Sequence, residues 1–217
     1  HKGAVHAMKI AFTLFEYSPY SGLSLDFSRI LAECKKRGHD TQIFTYEWVG
    51  EHPKDVDVTV LPVRERAANH SKNKQFHTAL KRVLAQQHFD IVIGFNKIPN
   101  LDIYYGADIC YRGRTDPIYP IYYRLLHPRY RLSSRFEESV FGIDSQTLIL
   151  SLSEKEKSVY QETYFTPDSR FHLLPPTLDS RFLPVQDRMA IRNQVRRELN
   201  VPANDQLLMF IGSGFTT

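Results

Sequence analysis

The chain has 217 residues, of which 42% are hydrophobic and 24% charged, and a formal net charge of +4. Such proportions belong to a folded globular chain and exclude disordered or collagen-like classes, and no run of eighteen apolar residues marks a membrane span. Cys34 and Cys110 are the only cysteines, and without ligand spacing they read as buried reduced thiols, not as a disulfide or zinc site.

No secretory leader pattern opens the chain, and residues 1–7, ahead of Met8, read as an expression remnant. Ile10, Ala11, Phe12, Leu14 and Phe15 form a short apolar run that suits a strand buried on both faces, and so a central one. The turn Glu16 to Gly22 follows, after which Leu23, Phe27, Ile30, Leu31 and Cys34 recur at helical spacing. The first N–H groups of such a helix lack partners, so an anion such as a phosphate can sit there, and Gly22 lets it approach closely. Gly22 is the only glycine between Ile10 and Arg37, which excludes the G-x-G-x-x-G fingerprint, so no NAD or FAD cofactor is expected. Asp26 is expected in the first turn of this helix, where the dipole favours an acid. Lys35, Lys36 and Arg37 close the helix, Gly38 stops it, and Thr41 to Tyr46 is the next strand.

Val56 to Val63 alternates as a more exposed strand, on which Asp55 and Asp57 read as solvated and not as a metal site. His70 to Gln87 carries Phe76, Leu80, Val83 and Leu84 at helical spacing. Phe89 to Gly94 is a buried strand that ends in the polar loop Phe95 to Asp102, at the strand end where open α/β sheets bind ligands. Ile103 to Cys110 holds a further strand or turn. Between Arg112 and Arg135 six arginines oppose one acid, Asp116, and Pro117, Pro120 and Pro128 forbid one uninterrupted helix. Ser134 with Glu137 and Ser153 with Glu156 read as capping boxes, the first opening a short helix to Gly142 and the second a helix to about Thr163. Gln146 to Leu152 and Phe171 to Leu174 are strands, Asp187 to Leu199 is a helix, and Leu207 to Ile211 is a last strand before the turn Gly212 to Phe215.

This alternation predicts an α/β fold: a Rossmann-like parallel sheet of about six or seven strands with helices on both faces. The expected division is one domain over residues 8–180, a linker and helix over 181–205, and the start of a second domain over 206–217 that continues past this chain.

Five segments carry a family resemblance: Phe15 to Leu23, Arg37 to Asp40, Gly94 to Asp102, Ala107 to Tyr111, and Leu174-Pro175-Pro176. Together they resemble the lipopolysaccharide core glucosyltransferases of the heptose glucosyltransferase I type, within family 4 of the retaining glycosyltransferases with the two-domain GT-B fold. The resemblance runs from Met8 to the last residue. It implies transfer of glucose or a related hexose from a nucleotide diphosphate sugar, UDP-glucose in the simplest case, onto an inner-core heptose of a lipid-anchored acceptor. The first domain would bind mainly acceptor. The enzyme would need no metal or other cofactor, and would be cytoplasmic and peripheral on the inner face of the inner membrane. The fragment alone would be inactive.

The resemblance also implies roles. Ser21 and Gly22 stand where the family has paired glycines, and with Asp26, read as a partner for a sugar hydroxyl, they form the donor-binding candidates. Asn96 and Lys97 are the acceptor-binding candidates, and Asp102, in the same loop, is the catalytic one. Tyr119, Tyr122, Tyr123, Arg124, Arg129, Tyr130 and Arg131 are read as docking on the anionic inner-membrane surface, around a short helix near Ile121 to Leu126 whose Leu125 and Leu126 could insert. The alternatives are an Arg- and Tyr-rich nucleic-acid module and a non-catalytic sugar-binding domain. The Ser21-Gly22 turn and the 96–102 loop suit sugars, so no nucleic-acid partner is expected.

Overall fold

The computed structural model describes residues 6–174 and 187–209. The chain divides into two units, His1–Pro175 and Pro176–Thr217.

The first unit is built on a seven-stranded sheet in the order β5-β3-β1-β6-β7-β8-β9. The strands are β1 (Lys9–Thr13), β3 (Asp40–Thr45), β5 (Asp57–Val60), β6 (Ile91–Gly94), β7 (Ile103–Gly106), β8 (Leu148–Ser151) and β9 (Phe171–Leu173), and every neighbouring pair is parallel. β1 lies between β3 and β6, as its apolar run predicts, with Ile10, Ala11 and Phe12 buried. Its side chains alternate between two cores. Ile10, Phe12 and Leu14 join Phe27 and Leu31 of helix α1 (Gly22–Lys36) on one face. Ala11 faces a second core built with helices α2 (Asn69–Gln86), α5 (Pro128–Phe141) and α6 (Glu154–Tyr164), through Phe76, Leu80, Phe136, Val140, Phe141, Tyr160 and Tyr164.

Helix ends follow local chemistry. Beyond α1, Gly38 at φ +84° sends its N–H to Lys35 O, and His39 N–H reaches Cys34 O, the paired closure that a left-handed residue permits. Ser153 caps α6 by accepting from Glu156 N–H at 3.4 Å. Some features of the first unit differ from expectation. A two-stranded parallel pair, β2 (Glu16–Tyr17) with β4 (Glu47–Trp48), occupies part of the turn before α1, with Tyr17 and Trp48 stacked at 3.8 Å. Ser134 caps nothing, because α5 begins at Pro128, whose ring suits the first helical turn, and runs through it. Asp26 is the fifth residue of α1, past its first turn, so the helix dipole does not account for it.

In the second unit, helix α7 (Arg188–Glu198) is capped by Asp187, whose side chain accepts from Ala190 N–H at 3.2 Å, and Asn200 at φ +54° ends it. Arg196 holds the following loop through Asp205 O at 2.6 Å and through Pro202 O. Within the expected strand 207–211, Leu207 to Met209 carry no strand, since no strand among the described residues pairs with them. Phe210 and Ile211, the turn Gly212 to Phe215, and Pro175 to Asp179 lie outside the described residues.

Candidate functional site

Strand order sets where a ligand can enter. From β1 the chain crosses to β3 on one side and later returns to β6 on the other, so the connections leaving β1 and β6 diverge at the carboxyl edge of the sheet. Asn96 bridges that divide: its Oδ1 accepts from the N–H of Phe15, just after β1, at 2.7 Å. No partner for its NH2 group occurs among the described residues, so it is available to a ligand. Beside it opens a pocket of about 260 Å³ lined by Phe15, Asn73, Asn96, Lys97, Asp108 and Phe136, among others.

Lys97 lines this pocket but is not a free charge. Its Nζ donates to Glu137 Oε1 at 2.6 Å and to Ile109 O at 2.7 Å, over the ring of Tyr160, and only 11% of its side chain is exposed. Glu137, on α5 and 0% exposed, is the hub of the region. Besides Lys97 it accepts from the N–H groups of Tyr111 and Arg112 at 2.8 and 3.0 Å, and from the Tyr164 hydroxyl at 2.7 Å. A buried carboxylate is tolerated when such partners fill its lone pairs. Their joint effect is to tie the loop after β6, the start of short helix α3 (Tyr111–Thr115), α5 and α6 into one support under the pocket. Glu156 adds to it by accepting from Cys110 N–H at 3.1 Å. Burial pushes the Cys110 thiol up to about 11, so it is inert. Cys34 is only half-buried.

Asp108 is the acid among the residues that line the pocket. The residue reaches the surface, yet burial of its carboxyl raises the pKa above the usual carboxylate range, against the opposing pull of Lys97 and of the Tyr104 hydroxyl, 3.4 Å away. Sequence reasoning passed over Asp108 and Glu137 as site residues. Asp108 had a usable signal, since it follows an apolar run at a strand's carboxyl end; Glu137 looked like the far half of a capping box.

The other expected residues are placed elsewhere. Asp102 is at the opposite, amino edge: its carboxylate accepts from Val92 N–H at 2.7 Å, and its own N–H returns to Val92 O at 3.0 Å. The loop from Asn96 returns to the amino edge to start β7 parallel to β6, and Gly94 leaves room for Leu101, whose Cδ1 stands 2.3 Å from where a Cβ would be. Ser21 and Gly22 begin α1, where a Cβ on Gly22 would meet no atom within 4 Å. Asp26 accepts from the Tyr105 hydroxyl at 2.8 Å and pairs with Arg29 at 3.5 Å; burial, and then this hydrogen bond, raise the phenol's pKa. None of these four lines the pocket.

The basic segment divides in two. Helix α4 (Ile121–Leu126) forms where expected, and Ile118, Ile121, Tyr122, Leu125 and Leu126 are exposed, Leu126 by 76%. Tyr119 is at the surface, and Arg129 and Arg131 are exposed. Tyr130, Arg124 and Tyr123 turn inward instead. The Tyr130 hydroxyl and Arg124 both bind Asp116, and Tyr123 stacks between Tyr119 and His127 at 4.4 and 4.5 Å. They brace the segment from within. Among the described residues no helix is long and apolar enough to cross a membrane, and no cluster of three or more metal-ligating side chains occurs.

No family model matches the chain. It is 32% identical over 211 residues to "Lipopolysaccharide glucosyltransferase WaaG" of Escherichia coli (strain K12), a match covering 96% of this chain and 55% of that protein. The crystal structure of WaaG, a glycosyltransferase involved in lipopolysaccharide biosynthesis, superposes with a TM-score of 0.79 at 31% identity, over 89% of this chain and 52% of that one. A glycosyltransferase from Rickettsia africae shares the fold at a TM-score of 0.53 and 12% identity, over 92% of this chain and 51% of that one. The chain thus spans about half the length of the relatives it matches.

Proposed function

We propose that this chain, similar over nearly its whole length to the lipopolysaccharide glucosyltransferase WaaG, is the N-terminal, acceptor-binding half of a retaining hexosyltransferase of lipopolysaccharide core assembly. The observation that carries this reading is the 32% identity across 96% of the chain, and the pocket at the carboxyl edge agrees with it. The donor is a nucleotide diphosphate sugar, UDP-glucose, and the acceptor a core heptose. As the acceptor oxygen bonds to the sugar's anomeric carbon, the bond to the diphosphate breaks and its electron pair leaves with the diphosphate. Asn96 donates to an acceptor hydroxyl through its NH2 group. Asp108 accepts from another, and its raised proton affinity suits it to take the proton of the attacking hydroxyl. The open N–H groups at the start of α1, past Ser21 and Gly22, face the donor's phosphates.

Asp102 is structural in this reading, and Lys97 positions the pocket through Glu137. The enzyme is cytoplasmic and rests on the inner membrane through Ile118, Ile121, Tyr122, Leu125 and Leu126, with Arg129 reaching anionic headgroups.

Transfer of radiolabelled hexose from a panel of nucleotide sugars to truncated lipopolysaccharide, using the full-length protein, tests the activity. Asn96→Ala and Asp108→Asn should each lower the rate by about tenfold or more, the usual size for a positioned proton-transfer or hydrogen-bonding group. Absence of transfer, or full activity in both variants, overturns the reading. Co-sedimentation with anionic vesicles that survives Leu125→Asp/Leu126→Asp would overturn the docking surface.

A further inference from the structure

Asn73 of α2 and Ser133 of α5 also line the first pocket, and their sequence neighbours Lys74 and Leu132 line a second opening between these two helices. This cleft, of about 420 Å³, is walled by His70, Ser71 and Lys74 of α2 and by Arg131, Leu132 and Arg135 of α5. His70 and Lys74 are one turn apart, as are Arg131 and Arg135, so on each helix two basic groups stack along the face that meets the cleft. No acid lines it. Among the described residues Lys74, Arg131 and Arg135 make no ion pair. The acids that follow on α5 do not balance them: Glu137 is committed to Lys97, and Glu138 forms no ion pair with them.

Like charges one turn apart repel, and a cleft lined by one sign of charge concentrates its field. His77, on α2 against Phe136, has its pKa lowered by burial and then by Lys81 and Arg135, and its Nε2 is buried without a partner.

We propose that the α2–α5 cleft is a phosphoryl-binding subsite that seats a phosphate ester of the acceptor saccharide while the neighbouring pocket holds its hydroxyls. The inference rests on the acceptor-binding role given above. Two planar guanidinium groups offer paired N–H donors to the oxygens of a phosphate, and Lys74 adds a point charge. The volume exceeds that of a single anion and admits part of a sugar ring.

The test is a titration of the full-length protein with mannose 6-phosphate, mannose and inorganic phosphate, following the His70 ring resonances by NMR. Mannose 6-phosphate should move them saturably and mannose should not, with inorganic phosphate competing. Arg131→Gln/Arg135→Gln should raise the Kd roughly tenfold or more, as expected for losing charge-assisted bonds. Lys74→Gln should raise it less. All three positions are exposed, so unfolding midpoints near that of the parent protein will show the variants folded. No shift with mannose 6-phosphate, or equal affinity in the double variant, overturns the subsite. A shift with phosphatidylglycerol vesicles but not with the sugar phosphate also overturns it, in favour of a lipid headgroup. In the transfer assay the double variant should show a higher KM for acceptor and an unchanged KM for nucleotide sugar. Absence of transfer by the parent protein would overturn the glycosyltransferase reading instead, and would leave the phosphate titration standing.

Discussion

Asn96 and Asp102 share one loop and make the same kind of bond, each accepting a backbone N–H at 2.7 Å, yet they serve opposite edges of the sheet. Asn96 joins the connections that leave β1 and β6, and its NH2 group has no partner among the described residues. Asp102 pins the first residues of β6 to the start of β7, and its carboxylate is part of the sheet's closure. In a parallel sheet all strands point one way, so the connections at the carboxyl edge are free to vary while those at the amino edge feed the strands. A polar residue's chemistry therefore says less about its role than the edge on which it sits.

The sharpest way to test that contrast is to remove the support under the carboxyl edge. Glu137→Ala would leave Lys97 nearly buried and unpaired and would release the start of α3. A loss of about 3–5 kcal/mol in denaturant unfolding is expected, as for other broken buried ion pairs. Asp102→Ala comes next, with an expected loss of about 1–3 kcal/mol from the unsatisfied Val92 N–H. Its transfer rate per folded molecule should hold; a tenfold slower rate at unchanged stability would break the comparison. Asn96→Ala orphans the Phe15 N–H in the same way and should cost about 1–3 kcal/mol, at the lower end because its acceptor is uncharged, but should also raise the KM for acceptor.

The smallest effects are in pH dependence, and they have opposite signs. The native pKa of Asp108 is raised, so its contribution is complete below about pH 4, the unfolded value, and is lost as pH rises through the native one. Asp108→Asn should remove that decline. The native pKa of His77 is lowered, so its contribution is present above about pH 6.5 and is lost as pH falls through the native value. His77→Gln should flatten that limb of the curve.

Local signals sufficed wherever the physics is local. The apolar run at Ile10 to Phe12, the left-handed closure at Gly38 and the cap at Ser153 were legible because each depends on neighbours within a few residues. The short helix at Ile121 to Leu126 was also legible, bounded as it is by Pro120 and Pro128. The sequence alone thus determined a Rossmann-like alternation with β1 inside the sheet and a resemblance to a glycosyltransferase family. Tertiary structure alone decided which polar residues meet. Glu137 lies forty residues from Lys97 and becomes its partner only when α5 packs beside the loop after β6. Tyr130 and Arg124 turn inward because Asp116 is there to receive them. Asp102 falls at the amino edge because it directly precedes β7, which pairs parallel to β6. Burying a charge or a backbone amide demands a partner, and that partner is supplied by long-range packing that no local spacing encodes.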